Sequence, residues 1–335
     1  MDEDFGPMTY FENMDSIFDF EARGHSPRYE AYIEKTLDKL VKENGNKFGA
    51  LVMEPVVLGA GGMLFVDPLF QQSLVRVVRR YNFSTASDVA PVPALDDNSW
   101  TGLPVLFDEV FTGLYRLGRF ASASFLDVHP DISCHAKLLT GGLLPLSITA
   151  ASEAIFNAFW GDEKSDALLH GHSYTAHAVG CHIADVSLQT MGELNTKDYA
   201  WRGYKRDWKG HEAEESWKKW SVGAKSDGAE HEHMWSMWSR SFVNLLSNHA
   251  RVEHVNALGS VLAVALVDKS GSGVYPRPCN SRYRPCFQPV QWNNFANVSQ
   301  VTLRPQQMDC AMRCSTMSPE HRSRYTRECW AMLSI

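Results

Sequence analysis

Long apolar runs, cysteines and a strong excess of either charge are all scarce in this sequence of 335 residues. No stretch approaches the roughly 20 apolar residues that cross a bilayer, and the N-terminus has no pattern of a signal peptide. Only Cys134 and Cys181 of the seven cysteines precede residue 274, which is typical of a reduced compartment. The net charge of −7 argues against a general nucleic-acid or membrane surface. These absences favour a water-soluble protein, expected in the cytoplasm or the mitochondrion.

Two adjacent carboxylates follow a short apolar run in the middle of the chain. Residues 104–107 have the length and composition of one buried strand, and Asp108 and Glu109 come directly after it. Ligands of open α/β sheets collect beyond the carboxyl ends of the strands. The pair is therefore a candidate for ligand binding, although an ordinary ion pair at a strand end is an equally simple interpretation of Glu109. Glu54, which follows the apolar run at residues 48–53, has the same two interpretations.

One lysine, Lys137, stands in a segment that is otherwise without Lys, Arg, Asp or Glu from residue 132 to residue 151. Thr140, Gly141 and Gly142 follow it, and glycines let a backbone approach a ligand closely. Desolvation in apolar surroundings disfavours the ammonium form of a lysine. A lysine in its neutral form is the nucleophile of Schiff-base enzymes, and this chemistry is predicted for Lys137.

The whole segment resembles the class III aminotransferases, which use pyridoxal phosphate (PLP). The resemblance is carried by three groups of residues in the family's order and spacing: Leu106-Phe107-Asp108-Glu109-Val110 with Gly113, Arg116 and Gly118; Pro130-Asp131-Ile132; and Ala136-Lys137-Leu138-Leu139-Thr140-Gly141-Gly142. It implies an α/β protein with the type I fold of PLP-dependent transferases. The expected divisions are a partial large domain with a mainly parallel sheet (1–200), a linker helix and the start of a small C-terminal domain (201–273), and an atypical tail (274–335).

Within class III the chain looks most like the diaminopelargonic acid aminotransferases of biotin synthesis, in the eukaryotic form fused to a dethiobiotin synthetase. The residues that carry this narrower likeness are Glu54 to Met63, Cys134 to Gly142 and His170-Gly171-His172-Ser173-Tyr174. It covers roughly residues 10–273, and it implies a chain that lacks parts of the aminotransferase at both ends. The expected substrate is 8-amino-7-oxononanoate with S-adenosylmethionine as amino donor, and the expected assembly is a homodimer.

The resemblance also implies roles for single residues. Lys137 would hold PLP covalently, Asp108 would keep the pyridine nitrogen protonated, and Val110 would pack on the ring. Ser173, where the family usually has threonine, would bind the PLP phosphate of the neighbouring subunit. Two alternatives stay open at this point: a non-catalytic fragment that cannot hold PLP, and another class III enzyme that acts on an ω-amino acid.

Two further segments suggest metal or nucleic-acid binding, and both suggestions are weak. The histidines between residues 170 and 182 have the spacing of no standard zinc site, so no metal is expected. Residues 201–238 contain six of the ten tryptophans, interleaved with charges of both signs, which favours aromatic packing along a linker helix.

The tail from residue 274 contains eight arginines, no lysine and five cysteines, and its apolar periodicity fades. We expect it to pack poorly and to bind no metal.

Overall fold

A computed structural model describes the protein over residues 9–11, 13–23, 27–83, 102–163, 171, 173–196, 201–209, 233–267, 291–293 and 300–303. Within these ranges, no helix has both the length and the apolar character needed to cross a membrane. The predicted surface loop at 84–102 lies almost wholly outside the described residues, as does most of the tail.

A four-stranded mixed sheet is the centre of the fold. Its strands are β2 (Leu51–Met53), β5 (Val105–Asp108), β6 (Ile132–His135) and β7 (Ile148–Ala151), in the order β2-β5-β6-β7. The first three run parallel, and β7 runs antiparallel to β6. The predicted α/β class with a mainly parallel sheet is confirmed.

Strand β5 has a covered face and an open face, as the alternation of side chains along a strand requires. Val105 and Phe107 are fully buried, and Leu106 and Asp108 are partly exposed. Phe107 is paired with Ser133 of β6, and Asp108 is paired with Cys134. Because residues paired in a parallel sheet point to the same side, Asp108 and Cys134 share the open face.

Helix α3 (Pro27–Asp38) and helix α4 (Pro68–Arg80) pack together at one side of the sheet. Both begin at the proline that the sequence places in the first turn, where a missing N–H costs nothing. Asp67 caps α4 by accepting a hydrogen bond from the N–H of Leu69 at 2.9 Å. A tight apolar cluster joins the two helices: Ile33, Leu37, Phe70, Leu74, Val77 and Val78.

The remaining elements before residue 200 are short, apart from one long helix. They are β1 (Thr9–Phe11), α1 (Met14–Phe18), α2 (Phe20–Arg23), the hairpin β3 (Val57–Leu58) and β4 (Leu64–Phe65), α5 (Ala123–Leu126) and α6 (Glu153–Ala158). A π-helical turn at Lys39–Glu43 continues α3. Helix α7 (Ala178–Thr196) is the long one, and it contacts the turn that follows β6.

The C-terminal elements are α8 (Arg202–Lys209), α9 (Arg240–Ser247) and the antiparallel pair β8 (Val252–Leu258) and β9 (Val261–Leu266). The apolar composition of residues 258–267 predicts a single strand, and the structure shows this stretch to be mainly the second strand of a hairpin. In the predicted tail, β10 (Gln291–Asn293) and β11 (Gln300–Leu303) form a three-stranded sheet with β1. These seven tail residues have regular structure where none was expected.

Candidate active site

Asp108 is the last residue of β5, a central strand with a neighbour on each side. Its side chain lies on the open face, and its Oδ1 accepts a hydrogen bond from the N–H of Val110 at 3.1 Å. This bond fixes one carboxylate oxygen and leaves the other for a ligand. The predicted position of Asp108, at the carboxyl end of a central strand, is confirmed.

Lys137 begins the turn that follows the neighbouring strand β6. Because Asp108 is paired with Cys134, the lysine lies three residues beyond the pairing partner of Asp108, at the same edge of the sheet. Its φ of +47° is in the left-handed region, which costs a non-glycine residue of order 1–3 kcal/mol and is most common at functional sites. The predicted position of Lys137, on a turn near Asp108, is also confirmed.

Contacts with α7 and a hydrogen bond from Thr140 stabilise the turn that begins at Lys137. Ser187 of α7 donates a hydrogen bond to the carbonyl oxygen of Leu138 at 2.9 Å, and Leu139 is fully buried against this helix. Thr140 donates to the carbonyl oxygen of Leu144 at 2.6 Å. The two glycines that follow both have positive φ, +60° and +82°, so the Thr-Gly-Gly sequence closes the turn in a conformation that favours glycine.

The side chain of Lys137 itself is exposed. The sequence predicted that apolar neighbours would desolvate the Lys137 amine, and this prediction is wrong for this structure. Leu139 is fully buried in the core below the turn, but Leu143 is exposed, so the apolar residues near Lys137 in the sequence do not enclose its side chain. The reactivity of the Lys137 amine must therefore depend on its direct contacts and not on burial.

Glu54 is electrostatically coupled to both of these residues. Its Oε2 accepts a hydrogen bond from the N–H of Gly59 at 2.9 Å, which ties the end of β2 to the glycine-rich loop. Burial raises the pKa of Glu54; the Gly59 N–H opposes this, the negative Asp108 raises the pKa further and Lys137 lowers it. Two carboxyl groups and one amine therefore meet at the carboxyl edge of β2, β5 and β6.

Glu109 lies on the covered side, away from this group. It is 2% exposed, and its Oε2 accepts a hydrogen bond from the N–H of Ser122 at 2.7 Å. Burial raises the pKa of Glu109, and the Ser122 N–H opposes the shift. Within the described part of the chain neither Glu54 nor Glu109 forms an ion pair, so the ion-pair interpretation finds no support there.

Phe111 is a site residue that the sequence did not single out. The Lys137 Nζ lies 5.2 Å from the centroid of its ring, and the Arg116 Cζ lies 5.4 Å from the same centroid. On another side the ring packs on Gly59, where an added Cβ would lie 2.9 Å from two ring carbons. Such contacts between segments that are far apart in the sequence leave no trace in its periodicity.

His135 is the second residue that the sequence did not reveal. It ends β6, two residues before the lysine, and is 8% exposed. Its Nε2 lies 3.1 Å from the Ser133 Oγ, and burial lowers its pKa. The alternation of side chains along β6 could have indicated this position of His135, because it places Ser133 and His135 on the covered face with Phe107.

Ser173 lies in the turn before α7 and is exposed to solvent. His170 and His172, which precede it in the motif, lie outside the described residues. A contact with a second subunit is not represented in a single chain, so the role of Ser173 stays a prediction.

The chain is similar to known proteins over most of its length. Residues 101–202 match the model of the family Aminotransferase class-III. The bifunctional dethiobiotin synthetase/adenosylmethionine-8-amino-7-oxononanoate aminotransferase of Emericella nidulans is 51% identical over 273 residues, which are 80% of this chain and 32% of that protein. The mitochondrial bifunctional dethiobiotin synthetase/7,8-diamino-pelargonic acid aminotransferase of Arabidopsis thaliana is 37% identical over 78% of this chain and 26% of that protein.

Among solved structures, a transaminase with L-alanine is 18% identical with a TM-score of 0.48, and the superposition covers 89% of this chain and 62% of that one. The chain spans about a third or less of the length of the two curated relatives above. The resemblance predicted from the residues around Asp108 and Lys137 is confirmed by the family match and by both relatives. Residues 101–202, which contain both of these residues, are similar to the class III aminotransferases.

Proposed function

We propose that this chain contains the lysine-bearing part of a PLP-dependent aminotransferase that converts 8-amino-7-oxononanoate to 7,8-diaminononanoate, with S-adenosylmethionine as amino donor. The observation that carries the proposal is the parallel pairing of β5 and β6, which brings Asp108 and Lys137 to one open edge of the sheet. The name of the fungal relative supports this choice of substrate and donor, and the name of the plant relative supports the product.

The residues at this edge suit PLP chemically. The Lys137 amine is exposed and can reach an aldehyde carbon, and Asp108 is a partly exposed carboxylate on the open face. PLP supplies an electron sink for the carbanion that develops at the donor carbon. Lys137 would attach the cofactor through Nζ and, once released, carry the proton between the donor carbon and the cofactor at the same nitrogen.

Asp108 would act through charge. A carboxylate within hydrogen-bonding distance of the pyridine nitrogen favours the protonated ring, which withdraws electrons more strongly. Val110 follows on the same segment and would pack on a ring face, while its N–H already orients Asp108. Glu54 is a further carboxyl group that interacts electrostatically with both residues, which gives it a supporting role.

The rest of the proposal extends beyond one chain. We assign residues 1–200 to the large domain, 201–273 to a linker helix and the start of the small domain, and 274–335 to an atypical tail. The active unit is a homodimer in which Ser173 binds the PLP phosphate held by the other subunit. The plant relative is named as mitochondrial, which favours the mitochondrion over the cytoplasm as the compartment.

The test is covalent capture of PLP by the purified chain. PLP followed by borohydride should leave a pyridoxyl group on Lys137, located by peptide mass spectrometry, and Lys137→Ala should abolish it. Lys47→Ala, at another exposed lysine, is the matched control and should change nothing. Labelling spread evenly over the exposed lysines would refute the proposed site.

Substrate choice needs a second measurement. Formation of diaminopelargonate from 8-amino-7-oxononanoate, compared with a panel of ω-amino acids, separates the proposed enzyme from another class III transaminase. A chain that captures PLP on Lys137 and transaminates none of these compounds would be the non-catalytic fragment.

A further inference from the structure

The amine of Lys137 is exposed, yet it lies over an aromatic ring. A free lysine side chain has up to about 2 kcal/mol of rotamer entropy to lose when it is held in one place. The ring of Phe111, whose centroid is 5.2 Å from Nζ, is a contact that offsets part of this cost. A cation over an aromatic face is stabilised by about 0.5–1 kcal/mol at an exposed site.

The ring is in turn fixed from other sides. Gly59 approaches it so closely that an added Cβ would lie 2.9 Å from two ring carbons, and the hydrogen bond from the Gly59 N–H to Glu54 anchors that glycine. The ring also packs against the main apolar core of the protein. Its position is therefore set by the scaffold, and the flexible partner in the contact is Lys137.

We propose that Phe111 is a positioning residue for Lys137: its ring holds the amine at the carboxyl edge of the sheet, and this contact sets how readily the amine attacks an aldehyde. The inference rests on the proposed function, because it concerns the same lysine. The amine must give up its cation–π contact with the ring when it reacts. The cost is a slower attack, and the gain is an amine kept in place beside Asp108.

The second cation on the same ring supports this assignment. The Arg116 Cζ lies 5.4 Å from the Phe111 centroid, so the two cations lie at most about 11 Å apart, near the screening length at physiological salt. Burial lowers the pKa of Arg116, as expected for a cation that this segment holds away from water. Repulsion between the two cations opposes the effect of the ring on Lys137, so removing the arginine charge should strengthen the hold of the ring.

The test uses the full chain without PLP and reads out the reactivity of the amine directly. Limited acetylation with acetic anhydride transfers an acetyl group to a neutral amine and releases acetate, and peptide mass spectrometry measures Lys137 relative to Lys47. We expect Phe111→Leu to raise relative acetylation of Lys137 about two- to fivefold, which is the quoted cation–π range at 25 °C. Phe111→Tyr retains the ring and should restore the wild-type value.

The matched control is Phe120→Leu, which removes a ring from the same segment that packs on Tyr115 at a centroid distance of 5.6 Å. It should leave the acetylation of Lys137 unchanged. If Phe111→Leu does not fold, Arg116→Gln tests the same ring with the opposite sign and should lower acetylation. Equal acetylation in wild type, Phe111→Leu and Arg116→Gln, or a Tyr variant that behaves like Leu, would overturn the inference.

Failure of this inference and failure of the proposed function give different results. If borohydride captures PLP on Lys137 but Phe111→Leu leaves acetylation unchanged, the ring does not position the amine and the function stands. If acetylation changes as expected but PLP labels all exposed lysines alike, the contact exists and the proposed function fails.

Discussion

The imidazole of His135 packs directly against Gly113: a Cβ added to this glycine would lie 2.8 Å from Nδ1. The same Cβ would lie 2.9 Å from the carbonyl oxygen of Glu109, which is backbone and cannot turn aside. The segment that follows Asp108 thus packs on β6, the strand that precedes the Lys137 turn, with no room for one methyl group.

Gly113→Ala should therefore destabilise the protein by about 1–3 kcal/mol, the usual cost of overpacking. The measurement is the free energy of unfolding from urea titration. Gly192→Ala in α7 is the control, because a Cβ there would meet nothing within 4 Å. Replacing a helical glycine by alanine in open space should stabilise the protein by about 0.5–1 kcal/mol. Equal stability of the two variants would show that the contact at His135 is looser than described.

The stability of the fold should fall as the pH is lowered from 7.5 to 6. Burial lowers the pKa of His135, and also of His254, below the ordinary value of 6.5. The unfolded chain then binds protons more tightly than the folded one, so the stability is complete above about pH 6.5 and decreases below it. The pKa values of Glu54 and Glu109 are raised by burial from 4.5, and they act in the opposite sense at more acidic pH.

His135→Gln should reduce this pH dependence, by up to about 1.4 kcal/mol per pH unit if one full proton is involved. His182→Gln, at an exposed position of α7, is the control and should leave the slope as it is. Urea titrations at pH 7.5, 6.75 and 6.0 give the slopes. A slope that His135→Gln does not change would mean that this imidazole is protonated equally in both states.

Asp67 should be the most sensitive carboxylate for folding. It accepts hydrogen bonds from Arg23 at 2.8 and 2.9 Å, from the Tyr29 hydroxyl at 2.6 Å and from the N–H of Leu69. Asp67→Ala leaves a largely buried guanidinium without its partner, which typically costs about 3–5 kcal/mol. Thermal and urea unfolding would measure this loss.

The control for Asp67 is Glu34→Ala, which removes a 2.7 Å ion pair with Arg80 on the surface. Both of those side chains are about half exposed, so the loss should stay below about 1 kcal/mol. Similar losses in the two variants would contradict the difference in burial between the two ion pairs.

The surface around β7 and α6 should make the isolated chain self-associate. All four side chains of β7 are exposed, and the large apolar residues nearby include Leu143 at 75% and Trp160 at 71% exposure. Exposed large apolar side chains become interaction or aggregation sites where they lie together on the surface. We expect the double variant Leu143→Ser/Trp160→Ser to lower the self-association measured by light scattering without lowering the unfolding temperature.

The control here is Ile33→Ser, since Ile33 is fully buried between α3 and α4. It should lower the unfolding temperature and increase scattering.

The open surface beside Lys137 also bears on activity, because a site that water enters positions its groups poorly. We expect the chain alone to bind PLP weakly and to transaminate little, and ordinary enzyme rates lost on Lys137→Ala would show this to be wrong.

The sequence predicted the positions of Asp108 and Lys137 because each depends on local pattern: an apolar run long enough for a strand, then the residues directly after it. It did not predict the exposure of Lys137 or its contact with Phe111. The exposure of Lys137 depends on how Leu139 packs against α7 below the turn. The contact with Phe111 depends on how the loop at Gly59 packs on the ring. Both are contacts between segments that are distant in the chain. The strand at residues 300–303 was missed because it pairs with β1, almost 300 residues away, and the strand at residues 291–293 pairs only with the strand at 300–303 in the described sheet.

The alternation along β5 gives the adjacent residues Asp108 and Glu109 opposite environments, one open and one buried. The two positions are chemically almost interchangeable, so only the count of residues from the start of the strand decides which carboxylate meets a ligand. Inserting a single residue between 105 and 107 would exchange them: the aspartate would turn into the core and the glutamate onto the open face. A substitution in this strand can thus be tolerated where a one-codon insertion or deletion cannot.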